Sequence, residues 1–240
     1  IFMSQRFFLS QTPTDDTATL AGDEARHLSR VMRVKAGDPV ELFDGQGTSW
    51  SATVTCIERN EVTLRIDAKY TDKISQQPVT TLAVALPKGE RQKWLIEKIT
   101  ELGTDYLIPL TTSRSVAQPT SAAISRLKRG VVEACKQSKR NRLLEITPSQ
   151  SLDTLLSTAS TRMRILACPM SSDSMQSVLS TPIDEILIVI GPEGGFTEEE
   201  LALSRAHDFQ HMSLGQNILR IETAAIAAAV LAGQCQRSLS

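Results

Sequence analysis

The chain has 240 residues, room for one large domain or two small ones. Its hydrophobic fraction of 41% suits a folded globular chain, and no apolar run is long enough to span a bilayer. With 26 lysines and arginines against 27 aspartates and glutamates the net charge is −1, so any nucleic-acid-binding surface must be local.

The four cysteines (Cys56, Cys135, Cys168, Cys235) stand far apart with no C-x-x-C pair. That argues for reduced thiols and a cytoplasmic home, and against a disulfide framework or a zinc site. His27, His207 and His211 are too scattered for a metal cluster, so no metal is expected. No basic-then-apolar leader opens the chain, and no membrane association is expected.

Along the chain, the first 70 residues carry short β-like runs at Arg6–Leu9, Pro39–Phe43, Trp50–Cys56 and Val62–Asp67. Turn signals separate them at Gly37-Asp38, Asp44-Gly45-Gln46-Gly47 and Arg59-Asn60, a spacing that suggests a small barrel. One helix is expected from Gly22 or Asp23 to about Val34. The polar segment Thr71–Pro78 reads as a linker, giving domains over 1–72 and 73–240.

The rhythm then changes to strand, helix, strand, helix. Leu82–Leu86 is an apolar run ending at Pro87-Lys88-Gly89. Trp94, Leu95, Ile99 and Leu102 recur at helical spacing, and Gly103 fits as the stop. Tyr106–Leu110 is the next strand, Ala122–Lys139 a long helix, and Ile165–Cys168 and Ile186–Ile190 two more strands. His211–Leu214 reads as a short strand, and an alanine-rich helix runs from about Glu222 to Leu231. Such alternation predicts an α/β fold, a mostly parallel sheet with helices on both faces.

Four features could carry chemistry. The unbroken apolar run Ile186–Ile190 leads into Gly191-Pro192-Glu193-Gly194-Gly195. Thr197 and Glu200 then form a capping-box pattern, with Phe196 and Leu201 placed as a hydrophobic staple. This is neither a dinucleotide fingerprint nor a P-loop, which counts against a dehydrogenase-like enzyme. The loop reads equally as a tight strand-to-helix turn or as a ligand loop at a sheet edge.

The second feature, Leu214-Gly215 through Thr223-Ala224, embeds Arg220 and Glu222 among apolar residues. These two form either a surface ion pair at a helix start, or a site in which Arg220 faces substrate beside the first loop. Third, residues 126–142 hold seven cations (Arg126, Lys128, Arg129, Lys136, Lys139, Arg140, Arg142) against one acid, Glu133. Arg26, His27, Arg30, Arg33 and Lys35 form a second basic group. Both are either solvated faces or footprints of an RNA backbone. The fourth, Lys88 through Gly103, reads mainly as a solvated helix face, although Lys88 at a strand end could reach a site there.

Taken together, Arg6-Phe7-Phe8, His27–Val34 with Gly37-Asp38, Leu42–Gly45, Glu97–Gly103, Glu133–Arg140, Ile190–Phe196 and Leu214–Ala224 resemble the RsmE family. These are bacterial 16S ribosomal RNA uracil N3-methyltransferases of the SPOUT superfamily. Asn217 departs from the Lys or Arg common at its position.

The resemblance implies a PUA-like RNA-binding barrel followed by a SPOUT domain: a parallel sheet with a deep C-terminal trefoil knot. It implies S-adenosylmethionine as cofactor, held by Gly191, Pro192, Gly194, Gly195, Leu214, Gly215, Ile218, Leu219 and Thr223. It also implies a homodimer, with 16S rRNA in the 30S subunit as partner. Arg220 would stabilise charge on the uracil, and Glu193 would accept the N3 proton or simply cap its loop. Arg6, Arg30, Arg33, Arg126, Arg129, Lys136, Lys139 and Arg140 would hold phosphates. A non-catalytic ribosomal RNA-binding module, and a SPOUT enzyme acting on another RNA, are the alternatives.

Overall fold

The strands of the chain sort into two separate sheets in the computed structural model, which describes residues 5–14, 16–73, 75, 77–115, 120–178 and 182–237. Contacts divide the chain into two units: Ile1–Ile74 with Cys135–Leu143, and Ser75–Ala134 with Leu144–Ser240.

In the first unit, β1 (Gln5–Phe8), β2 (Thr17–Ala21), β3 (Pro39–Phe43), β4 (Thr48–Ile57) and β5 (Glu61–Thr71) form one sheet in the order β1-β3-β4-β5-β2. Among the described residues of this sheet only the β1–β3 pair is parallel. All five strands and the following helix feed one core, with Phe7, Leu20, Leu28, Leu42, Val54 and Leu64 at its centre. β2 escapes a reading of the sequence because its inward residues, Ala18 and Leu20, alternate with threonine and alanine and give little contrast. The expected helix over 22–34 is shorter: α1 (Gly22–Arg26) loosens into a π-helical turn over His27–Val31. Met32 N donates to His27 O at 3.0 Å, and Arg33 then turns left-handed at φ 53°, which ends the helix. The expected linker begins one residue early, since Thr71 still belongs to β5, and its remainder falls between β5 and the next strand, with 74 and 76 outside the described residues.

Residues 135–143 join this unit because a glycine turn is cut to receive them. Asp44 Oδ1 accepts from Gln46 N at 2.7 Å and Thr48 N at 3.0 Å. Gly45 and Gly47 take φ of 75° and 104°, and a Cβ on either would strike Leu143 or Arg142. Their backbones instead bond the incoming chain, Gly47 N to Asn141 O at 3.0 Å and Leu143 N to Gly45 O at 2.9 Å. The split at 72/73 read from the sequence leaves this segment with the second part.

Arg6 fastens the same segment, and here the expectation of an RNA contact needs correction. Its side chain is only 4% exposed. Nη1 donates to the carbonyls of Cys135 at 2.8 Å and Arg140 at 3.2 Å, and Nη2 donates to Asn141 Oδ1. Nε pairs with Glu41 at 3.0 Å, and the guanidinium lies 4.2 Å over the Phe43 ring. Burial lowers its pKa, and the charge of Glu41 acts against that shift. A guanidinium with its donors occupied inside the fold cannot also bind a phosphate.

In the second unit every strand pairing among the described residues is parallel. The strands are β6 (Val79–Val84), β7 (Tyr106–Thr111), β8 (Glu145–Ile146), β9 (Gln150–Ser151), β10 (Met163–Ala167), β11 (Glu185–Ile190) and β12 (Gln210–Met212). Their order is β12-β10-β11-β6-β7-β8, with β9 on β7. The helices are α2 (Glu90–Glu101), α3 (Ser121–Ser138, whose last residues from Cys135 belong to the first unit), α4 (Leu152–Thr158), α5 (Glu198–Ala206) and α6 (Ile221–Gln234).

β11 shows why this sheet reads as an unbroken apolar run. Leu187 and Val189 face a core with Leu152, Leu155 and Leu156 of α4, against which Leu201 of α5 packs. The alternate residues Ile186, Ile188 and Ile190 are equally buried, and α6 packs on β6 and β11. With both faces covered, no polar alternation is tolerated.

His211 ties β12 to α5 through Nε2 and Ser204 Oγ, 2.8 Å apart. Burial, and less so Arg205, holds its pKa below the usual imidazole value. The unfolded chain therefore takes up this proton before the folded one does as pH falls. Stability should be level above about pH 7 and decline below about pH 6.5, the free imidazole range. Thermal melting at pH 7.5 and 5.5 measures the drop, and His211→Gln should shrink it. An unchanged drop in that variant would assign the pH dependence to another group.

Candidate active site

The carboxyl ends of β10, β11 and β12 open onto one cavity of about 390 Å³. Parallel strands release their chain at the same edge, so loops far apart in sequence meet there. The walls come from Ala167–Met170 after β10, Ile190–Phe196 after β11, Leu214–Leu219 after β12, and the starts of α5 and α6. Of the residues expected to hold a cofactor, Gly191, Pro192, Gly194, Gly195, Leu214, Gly215, Ile218 and Leu219 all line it.

The β11 loop is rigid for reasons its sequence states. Gly195 sits at φ 69° and donates to Pro192 O at 2.9 Å, closing a tight turn. At Gly191 a Cβ would lie 2.8 Å from the Phe196 ring, so only glycine admits this packing. The capping box forms as expected: Thr197 Oγ1 accepts from Glu200 N at 3.2 Å, and Glu200 Oε2 accepts from Thr197 N at 2.8 Å. The other oxygen of Glu200, which is buried, accepts from Ser113 N at 2.8 Å. Arg114 Nη1 adds a bond to Gly194 O at 2.7 Å. The loop is thus pinned from its own helix and from the turn after β7. Across the cavity Ile218 is 85% exposed.

Two expected site residues fall elsewhere. Thr223 is exposed and outside the cavity wall. Ile221 and Ala224 line the wall instead, and at about 100° per residue Thr223 belongs to another face of α6. Arg220 is exposed at the N-cap of α6 and is not part of the wall, although its neighbours Leu219 and Ile221 are. Nor does Arg220 pair with Glu222 as a surface ion pair. The cation near Glu222 is Arg91, Nη1 to Oε2 at 3.7 Å, with Glu222 only 8% exposed. Arg91 Nη2 also lies 3.3 Å from Glu193 Oε1. So the helix face read as solvated sends Arg91 to the edge where Glu193 stands. Its position just after a strand end was the available signal. The same rule points to Cys168, Pro169 and Met170, which the sequence reading missed.

The basic residues divide between the units. Arg126 and Arg129 are exposed on α3 in the second unit. In the first, Arg30, Arg33 and Lys139 are exposed, with Val31 and Met32 bare between the two arginines. Lys136 is 10% exposed and pairs with Glu24, so its expected phosphate contact is replaced by an internal one. Arg140 is half-buried, and its carbonyl receives Arg6. Among the described residues no group of His, Cys, Asp and Glu is placed to hold a metal ion. No helix among them is long and apolar enough to cross a membrane.

Comparison with known proteins agrees with this layout. The pattern of an RNA methyltransferase domain matches residues 75–233, and that of an RNA methyltransferase PUA domain matches residues 20–67. Ribosomal RNA small subunit methyltransferase E of Rickettsia conorii is 34% identical, over 87% of this chain and 86% of its own. The Synechocystis protein of that name is 33% identical, over 87% of this chain and 70% of its own. A crystal structure of the Neisseria gonorrhoeae enzyme of that name, bound to S-adenosyl methionine, superposes with a TM-score of 0.87 at 28% identity. It covers 94% of this chain and 95% of that one. With one domain pattern spanning most of the chain and relatives above 30% identity matched over 87% of it, the chain belongs to the ribosomal RNA small subunit methyltransferase E family.

Proposed function

We propose that this protein methylates N3 of a uridine in 16S ribosomal RNA, using S-adenosylmethionine, on the assembled 30S subunit in the cytoplasm. The cavity at the ends of β10–β12 carries this reading, and the names of the relatives support its ribosomal RNA substrate. A volume of about 390 Å³ lies in the usual range for small-molecule sites, about 300–1000 Å³. Apolar walls from Leu214, Ile218 and Leu219 beside bare glycine backbone suit a flat purine read by main-chain groups. Glu193, a carboxylate in the wall, suits a positively charged sulfur. The residues present therefore fit S-adenosylmethionine, which when bound supplies an activated methyl group.

The chain's own part is to hold the acceptor nitrogen and remove its proton. Glu193 accepts the uracil N3 proton on its carboxylate. Arg220, next to the wall residues Leu219 and Ile221, offsets the negative charge that this leaves on O2 and O4. Exposed Arg30, Arg33, Lys139, Arg126 and Arg129 supply phosphate contacts that position the RNA. In this reading residues 1–72 are the RNA-binding domain and 73–240 the methyltransferase domain, whose 191–195 and 214–220 loops belong to a deep trefoil knot. The working form is a homodimer. In support, Trp94, Leu102 and Val230 are exposed apolar residues on or beside α2 and α6, which pack together.

Methylation of 30S subunits from a strain lacking the enzyme, with mass mapping of the product, tests the reading. A methyl on carbon, on ribose or at any other base position overturns it. Arg220→Ala should lower turnover about 100-fold, as loss of one charge-stabilising donor does, with cofactor affinity kept. Parental turnover in that variant removes Arg220 from the mechanism.

A further inference from the structure

A second cavity of about 220 Å³ lies in the same unit, at the ends of β6 and β7. Leu86, Pro87, Lys88, Arg91 and Ser115 line it, and it shares Pro192 and Glu193 with the first cavity. We infer that this second cavity receives the acceptor uracil, with Lys88 and Ser115 as its recognition residues and Arg91 as a positioning residue for Glu193. The inference rests on the methyl-transfer reading above and names the site of the second substrate.

Three observations carry it. The first is the shared wall. A methyl group must pass between two ligands in contact, and Pro192-Glu193 is where the two cavities adjoin. The second is chemical complementarity. Uracil presents acceptor, donor, acceptor along O2, N3–H and O4. The cavity presents an ammonium on Lys88, a carboxylate on Glu193 and a hydroxyl on Ser115, with apolar Leu86, Pro87 and Pro192 for the ring faces. The Ser115 oxygen accepts from Thr112 N at 2.9 Å and lies 3.1 Å from Thr112 Oγ1, so its proton goes to the base when Thr112 Oγ1 donates to it. Cytosine has a lone pair at N3 and an amino group at C4, so it would set acceptor against carboxylate and donor against Lys88. The lining therefore selects uracil over cytosine. A base taken out of its stack and read on this edge is how base-modifying enzymes commonly reach their target atom.

The third is the ion-pair chain. Glu222 Oε2 is buried and has no hydrogen bond, and its nearest cation is Arg91 at 3.7 Å. The other end of that guanidinium lies 3.3 Å from Glu193. Arg91 thus stands between a buried carboxylate and the carboxylate on the shared wall, and fixes where the latter points. In water this pairing would be redundant, but with a base filling the cavity it becomes desolvated and directional.

The test uses the full-length protein. A short single-stranded RNA carrying one 4-thiouridine should photocrosslink to peptides holding Lys88 or Ser115, as mapped by mass spectrometry. Crosslinks confined to other peptides overturn the inference. Lys88→Met and Ser115→Ala should each lower kcat/KM on 30S subunits about 10- to 100-fold, as loss of one polar partner to a bound group does. Their S-adenosylmethionine affinity by equilibrium dialysis should match the parent, as should the melting temperature of Lys88→Met; Ser115→Ala also removes the acceptor of Thr112 N and should melt slightly lower. A matching loss of cofactor affinity would assign the cavity to the cofactor instead. Arg91→Lys should recover part of the turnover lost in Arg91→Ala and shift its pH profile, which a purely structural role would not do. Parental kcat/KM in Lys88→Met and Ser115→Ala, with uridine N3 still methylated, sinks the inference and leaves the functional reading intact. A parent that methylates another position sinks that reading, and the crosslink map still decides what the cavity binds.

Discussion

Gly191→Val should weaken S-adenosylmethionine binding about 100-fold or more, the equivalent of about 3 kcal/mol of overpacking. A single Cβ at this position would already lie 2.8 Å from the Phe196 ring. The ring cannot swing away freely, because Phe196 packs against the core of α4 and α5. The loop cannot yield easily either, since Glu200 and Arg114 pin it at Ser113, Thr197 and Gly194. Strain therefore falls on the cavity wall. Isothermal titration with the cofactor measures the effect. Gly130→Ala is the matched control. Gly130 lies within α3 with nothing within 4 Å of its missing Cβ. That variant should bind as the parent does and gain about 0.5–1 kcal/mol of stability from helix propensity. Parental affinity in Gly191→Val would show that the cofactor sits somewhere other than this cavity.

Arg6→Met should cost about 3–5 kcal/mol of stability, the range for breaking a buried charged network. The guanidinium serves Cys135 O, Arg140 O, Asn141 and Glu41 at once, and methionine serves none of them. The stranded carbonyls and carboxylate lose their partner, the Cys135 carbonyl in a buried position. At about 2–4 °C per kcal/mol for a chain of this size, melting should fall by roughly 10 °C. Arg6→Lys should recover only part of this, because a point charge cannot fork to several acceptors. The competing view, that Arg6 binds RNA, expects unchanged melting with weaker RNA affinity. Differential scanning calorimetry beside a filter-binding assay separates the two.

Much of this architecture is legible along the chain. Period-2 runs in the first 70 residues and alternating strand and helix patterns afterwards correspond to the two sheets. The capping box at Thr197 and Glu200 and the glycine turn at 44–47 are local chemistry, satisfied by residues a few positions apart, and both form as expected. Short strands with small residues, such as Thr17–Ala21 and Gln150–Ser151, lack the contrast that period-counting needs. The glycine loops were visible as candidates because a strand ending in bare backbone has few other uses in a parallel sheet.

Charged side chains behave differently. Arg6 and Cys135 are 129 positions apart, and nothing near Arg6 in the sequence says that a distant carbonyl will arrive beside it. Likewise Arg91 joins Glu193 and Glu222 only because parallel strands end at one edge, while Arg220, next to Glu222 but one, stays in solvent. Spacing and local hydrogen bonds are enough to read most of the longer elements, their buried faces and the two ligand-loop candidates. Which cations turn inward, which reach the cavities and that two cavities share one wall depend on how the strands assemble. A long flexible charged side chain takes its partner from whatever the fold brings within a few ångströms, and that is a property of the assembled strands rather than of their order.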